Sequence, residues 1–169
     1  MTDIYYFAYG SNMLTRRLQN RVSILGIEGA GSIEGYKLTF HKRSTVDGSG
    51  KCDVEITGNA EDIVEGVVYK LSSSEKAKLD SFEALGQGYS EKTVDVRLSG
   101  RTINAVAYYA TATDTTLEPY GWYKDYVVAG AREHGLSNKY IKSLEAVSSK
   151  PDPDTKREAK ERAILNPNP

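Results

Sequence analysis

A chain of 169 residues with 39% hydrophobic content and twelve tyrosines can bury one sizeable core, so a single domain is expected. Its 22 Lys+Arg against 23 Asp+Glu leave a net charge of −1, which excludes the broad electrostatic footprint of a nucleic-acid or anionic-lipid binder and favours a small-molecule partner. Cys52 is the only cysteine, which excludes an internal disulfide framework and a multi-cysteine zinc site, and neither a basic leader nor a run of membrane-spanning length is present; a reducing, cytoplasmic setting with no membrane partner is expected.

In chain order, the apolar run over residues 4–8 reads as a strand that ends in the polar turn Tyr9-Gly10-Ser11-Asn12. Residues 33–40 and 52–56 alternate with the period of half-buried strands. The connection Asp47-Gly48-Ser49-Gly50 suits a hairpin turn, so these two segments are expected to pair. Residues 64–70 are β-branched and aromatic, a further strand. Ser72 then stands three residues before Glu75, the spacing of a capping box, and opens a helix running towards Glu83. Val94, Val96 and Leu98 alternate in another strand, and Ser99-Gly100 turns into a last one over residues 103–110. About six strands joined mostly by short loops predict an α+β fold: a small, curved, mixed or antiparallel sheet or barrel with a few flanking helices. One of those helices begins near residues 119–122, carries Tyr123, Tyr126, Val127, Gly130 and Ala131 on one stripe, and ends at His134-Gly135. Ser137 caps another, in which Tyr140, Ile141, Leu144 and Val147 recur. From Pro151 the chain is proline-bracketed and charged, so a domain over residues 1–150 with a peripheral tail over 151–169 is expected.

Two places suggest chemistry. Backbone N–H groups around Gly10, with the Ser11 hydroxyl and the Asn12 amide, can receive a carboxylate or a developing oxyanion, although the same residue types also serve ordinary turns. Glu83 follows Leu79 by four residues and lies beside Phe82, near the apolar stripe of its helix. Partial burial disfavours the charged form of a carboxylate and suits it to take and return a proton; a helix frayed before Glu83 would instead leave an ordinary surface acid. Ser11 has no histidine in a recognisable elbow, since His41 and His134 lie far apart in sequence. The stretch Gly48-Ser49-Gly50-Lys51-Cys52 lacks phosphate-loop spacing, and residues 29–35 miss the dinucleotide fingerprint. Asp53, Glu55 and Asp62 have no histidine partners that would specify a metal. Neither cofactor nor metal is expected.

The segment Tyr6-Phe7-Ala8-Tyr9-Gly10-Ser11-Asn12-Met13 resembles the opening motif of the gamma-glutamylcyclotransferase-like family. Leu79-Asp80-Ser81-Phe82-Glu83, followed by a glycine-bearing loop and Tyr89, is similar to the segment holding that family's catalytic glutamate. Tyr123-Lys124-Asp125-Tyr126, followed by Gly130-Ala131 and Gly135-Leu136, resembles its late helix. The matches fall in order and span residues 6 to about 144. One departure is Ala84, where the family commonly has glycine. The resemblance implies a γ-glutamyl substrate whose α-amine attacks its own γ-carbonyl, releasing 5-oxoproline and an amine or amino acid. It assigns Glu83 the proton transfers, and it places Tyr9, Gly10, Ser11, Asn12, Tyr89 and Tyr123 at the substrate. The walls around the departing amine are expected from loops 86–90 and 111–119. The rival reading is a non-catalytic module that binds a small carboxylated or γ-glutamyl ligand in the same cavity.

Overall fold

The computed structural model describes residues 2–166, and its framework is a closed five-stranded barrel in the order β1-β5-β2-β6-β7. The strands are β1 (Asp3–Ala8), β2 (Gly26–Glu34), β5 (Ile63–Ser72), β6 (Tyr89–Leu98) and β7 (Arg101–Ala110), with β3 (Tyr36–Arg43) and β4 (Gly50–Ile56) forming a separate antiparallel pair. Neighbours in the barrel run antiparallel except at one seam, where β1 meets β7 in parallel at Tyr6 and Val106. Closure removes the open edges that a curved five-stranded sheet would otherwise expose.

Two β expectations change in detail. Residues 33–40 do not form one strand, because Gly35 adopts φ +82°, a left-handed conformation that side chains with a Cβ resist. The chain therefore leaves the barrel there and begins the β3–β4 pair. Upstream, residues 26–34 (Gly-Ile-Glu-Gly-Ala-Gly-Ser-Ile-Glu) are a full strand against β5 despite having few apolar side chains. Among the described residues there are seven strands, one more than the pattern predicts.

The helices are α1 (Thr15–Gln19), α2 (Ser73–Phe82), α3 (Gly121–Glu133), α4 (Asn138–Glu145) and α5 (Thr155–Leu165). Ser72 and Ser137 accept the N-cap bonds expected of them, from the amides of Glu75 and Tyr140. The core runs from the barrel interior to the inner face of α3, where Trp122, Tyr123, Tyr126 and Val127 are buried with Tyr6, Phe7 and Tyr69. Among the described residues no helix is long and apolar enough to cross a membrane.

The charged segment after Pro151 also folds. Asp154 caps α5 by accepting from the amides of Lys156 and Arg157, and Ile164 and Leu165 pack against the core. No residue of α5 is fully buried, so polar contacts do most of the anchoring. Trp122 donates its indole N–H to buried Asp152 (2.9 Å), which also accepts from Arg157 Nε (2.7 Å), and the Tyr126 hydroxyl donates to the Glu161 carboxylate (2.8 Å).

Candidate active site

At the end of β1 the chain tightens into a 3-10 turn over Ser11–Met13. Helix α3 presses directly on this turn. A Cβ added to Gly130 would lie 2.5 Å from the Leu14 nitrogen and 2.6 Å from Met13 Cβ, so only glycine permits that approach. The amides of Gly10, Ser11 and Asn12 make no hydrogen bond among the described residues, as expected for the first N–H groups of a helical turn. The Ser11 hydroxyl accepts from Arg17 Nε at 3.0 Å and has no histidine beside it. The Asn12 side chain faces inward and is fully engaged. Its Nδ2 donates to the Tyr6 hydroxyl (3.0 Å) and to Glu83 Oε1 (2.9 Å), while its Oδ1 accepts from Arg21 (3.3 Å).

Glu83 is the C-cap of α2, which ends in a Schellman motif. The Leu85 amide bonds to the Asp80 carbonyl (3.0 Å) and the Ala84 amide to the Ser81 carbonyl (3.3 Å). The motif requires a left-handed residue after the cap, and Ala84 supplies it at φ 49°, as the only non-glycine residue with positive φ among those described. The helix has therefore not frayed at Glu83, whose side chain is 15% exposed. Its surroundings are more polar than the apolar stripe predicts, since Phe82 turns outward at 55% exposure. A carboxylate at a helix C-terminus meets the negative end of the helix dipole, and Arg21 supplies the compensating charge from 3.0 Å. Both contacts to Glu83, from Asn12 and Arg21, are to Oε1. Oε2 has no partner among the described residues.

All seven residues singled out from the sequence, Tyr9, Gly10, Ser11, Asn12, Glu83, Tyr89 and Tyr123, line one cavity of about 310 Å³ counted with its open mouth. Tyr6, Cys52 and Tyr108 complete its lining. Burial raises the pKa of Tyr6, Tyr9, Tyr89 and Tyr123, so all four keep their protons. Two of those protons are already engaged. Tyr9 donates to the Tyr108 carbonyl at 2.5 Å and Tyr89 to the Cys52 carbonyl at 2.7 Å, which leaves their rings as walls and their oxygens as acceptors. Tyr6 and Tyr123 instead accept, from Asn12 and from the Cys52 amide (3.0 Å), and each retains a hydroxyl proton to give. Burial pushes the Cys52 thiol up to about 12, so no thiolate nucleophile stands in the cavity.

Tyr6 and Arg21 were not singled out from the sequence. Tyr6 sits inside a β1 segment that reads as plain core, and Arg21 lies in a connection after α1 with no periodic signal. The two histidines are elsewhere: His41 lies within β3, and His134 caps α3, bonded to Thr15 and Tyr69.

The cavity opens past Ser11, Glu83, Tyr89 and Tyr123 into a second one, walled by Lys42 and residues 44–47, by Phe82 and Ala84, and by α5. Residues 111–119 do not line it. Five cations do: Arg17, Arg21, Lys42, Lys51 and Arg157. Four have carboxylate partners, Arg17 with Glu161 (3.1 Å), Arg21 with Glu83 (3.0 Å), Lys51 with Asp47 (3.0 Å) and Arg157 with Asp152.

The profile of the AIG2-like family matches residues 63–144. The gamma-glutamylcyclotransferase of Bos taurus is 31% identical over 150 residues, covering 84% of this chain and 77% of that protein. The gamma-glutamylcyclotransferase of Homo sapiens is 29% identical over 152 residues, with the same coverage. A solved structure of a gamma-glutamyl cyclotransferase superposes with a TM-score of 0.82 at 27% identity, over 95% of this chain and 99% of that one. YkqA of Bacillus subtilis shares the fold, with a TM-score of 0.75 at 23% identity over 89% of this chain and 57% of its own.

Proposed function

The chain belongs to the gamma-glutamylcyclotransferase family, and from that premise we propose that it cyclises γ-glutamyl compounds, releasing 5-oxoproline and an amine or amino acid, with Glu83 as general acid and base. The observation that carries the assignment is the asymmetry of Glu83: Oε1 is held by Asn12 and Arg21 while Oε2 is open. One oxygen fixes the carboxylate in place. The other is left to handle a proton.

The reaction asks little else of the protein, because amine and carbonyl belong to one substrate and binding in a folded conformation supplies their proximity. Glu83 takes the proton released as the α-ammonium becomes a nucleophile. Nitrogen then adds to the γ-carbonyl, a C–N bond forms, and negative charge develops on the carbonyl oxygen. The unpaired amides of the turn at Gly10, Ser11 and Asn12 offer donors to an anionic oxygen of the substrate. When the intermediate collapses, Glu83 gives its proton to the leaving nitrogen, whose bond to carbon breaks, and takes the second proton from the ring nitrogen, which becomes the lactam N–H; that proton then follows to the departing amine. Tyr6 and Tyr123 supply further donors, and the Tyr9 and Tyr89 rings close the walls.

Glu83→Gln tests the assignment directly. The amide still accepts from Asn12 but cannot shuttle a proton, so 5-oxoproline release from a panel of γ-glutamyl amino acids, γ-glutamyl amines and glutathione is expected to fall about 100- to 10,000-fold. Turnover equal to that of the unaltered enzyme would remove Glu83 from the mechanism. Binding of panel members without turnover by the unaltered chain would favour a ligand-sensing module.

A further inference from the structure

Lys42 is 6% exposed, yet its ammonium has no ion-pair or hydrogen-bond partner among the described residues. It is the exception among the five cations of the second cavity. Its position is set by the backbone, since the β3–β4 register shifts between Thr39 and Lys42, and Lys42 also bridges to Thr113. The bulge turns Lys42 towards the space between the two cavities. There its Nζ lies 4.5 Å from the centre of the Tyr89 ring, the wall that both cavities share. Gly88 leaves room beside it, as a Cβ there would come within 3.3 Å of Nζ.

The Lys42 stem is packed away while Nζ, not itself fully buried, faces the open cavity with one side on an aromatic ring and no carboxylate bonded to it, an arrangement that attracts an anion entering that space. Lys42 lines the second cavity and not the first, so that anion belongs to the part of the substrate lying beyond Glu83. We infer that Lys42 is the residue that reads the leaving group, binding the carboxylate of a departing amino acid, a contact that a departing simple amine cannot make. The inference rests on the cyclotransferase reading. Burial pulls the Lys42 ammonium below the usual lysine range, against the opposing influence of Glu83 and Asp47. Those two carboxylates are bonded to Arg21 and Lys51, and a substrate carboxylate supplies the direct partner that Lys42 lacks among the described residues.

The test compares γ-glutamyl-alanine with γ-glutamyl-ethylamine, which differ only by the leaving-group carboxylate. The unaltered enzyme is expected to favour the former in kcat/KM, and Lys42→Met to shrink that preference by about 10- to 100-fold, mainly through KM for γ-glutamyl-alanine. Lys42→Arg is expected to restore part of it. An equal fall on both substrates assigns Lys42 a structural role and overturns the inference, as does an unaltered enzyme that does not discriminate while still releasing 5-oxoproline. Release from neither substrate would overturn the cyclotransferase reading and this inference together. Should Lys42→Met fail to fold, product inhibition of the unaltered enzyme decides: alanine is expected to compete at concentrations where ethylamine does not, and equal inhibition overturns the inference.

Discussion

Ala84 follows Glu83 in the left-handed position of the Schellman motif, where a Cβ costs roughly 1–2 kcal/mol and the greater freedom of glycine in the unfolded chain offsets part of the gain on replacing it. Ala84→Gly is therefore expected to stabilise the protein by about 0.5–1 kcal/mol without moving Glu83, measurable as a raised urea midpoint with kcat unchanged. A lowered midpoint would show that the loop is relaxed with alanine. The sequence marks Ala84 as a departure from the family pattern, and the dihedral explains why glycine is common there. The helix that ends at Glu83 and the strand that ends before Gly10 were legible as local signals, while the choice of Glu83 and the turn as one site rested on the family resemblance. The pairing of Glu83 with Arg21 was not legible, since it depends on how a connection after α1 folds back across 62 positions. The engaged hydroxyls of Tyr9 and Tyr89 were equally hidden, because their acceptors are backbone carbonyls on other strands.

Helix α3 and the 3-10 turn it supports form a unit in which a small residue has a definite sign. Alanine normally favours a helix interior over glycine by up to about 1 kcal/mol. At Gly130 the contact with Met13 and Leu14 reverses this, and Gly130→Ala is expected to destabilise by about 1–3 kcal/mol. Because the displaced turn carries Asn12, kcat should fall as well. Thermal unfolding and steady-state kinetics check the two halves, and a stabilised variant would mean that the turn yields freely. At this scale the capped helices α2, α3 and α4 were readable from side-chain signals. Strand β2 was not, because a Gly-rich strand gains its pairing from β5 and has little apolar pattern of its own. Helix α5 was missed for a related reason: its contacts are ion pairs and hydrogen bonds that a hydrophobic period does not register.

The molecule as a whole is tied together by α5, which reaches the site through Glu161, Arg17 and Ser11. Asp152 anchors its start. Hydrogen bonding from Arg157 holds the Asp152 carboxyl down at about 2, against an ordinary value of 3.8, with Trp122 adding to the effect and burial opposing it. A carboxyl with a depressed folded-state value contributes stability that is fully present above its unfolded value and is lost as pH falls through the folded one. Acid unfolding should therefore draw on Asp152 between about pH 4 and pH 2. Asp152→Ala leaves the Trp122 N–H without its acceptor and is expected to cost about 1–3 kcal/mol at neutral pH, with a shallower loss across that acid window. An unchanged acid profile in denaturant titrations would free Asp152 of this role. The seam between Tyr6 and Val106 has a further consequence, because it joins positions 100 residues apart in a barrel whose first strand carries the turn at Gly10. Closing so long a loop costs entropy before any contact repays it, which places the protein among high-contact-order chains that refold in milliseconds to seconds. Catalytic competence should then return only with barrel closure, since the turn at Gly10 and the cavity's far wall come from opposite ends of the same slow search.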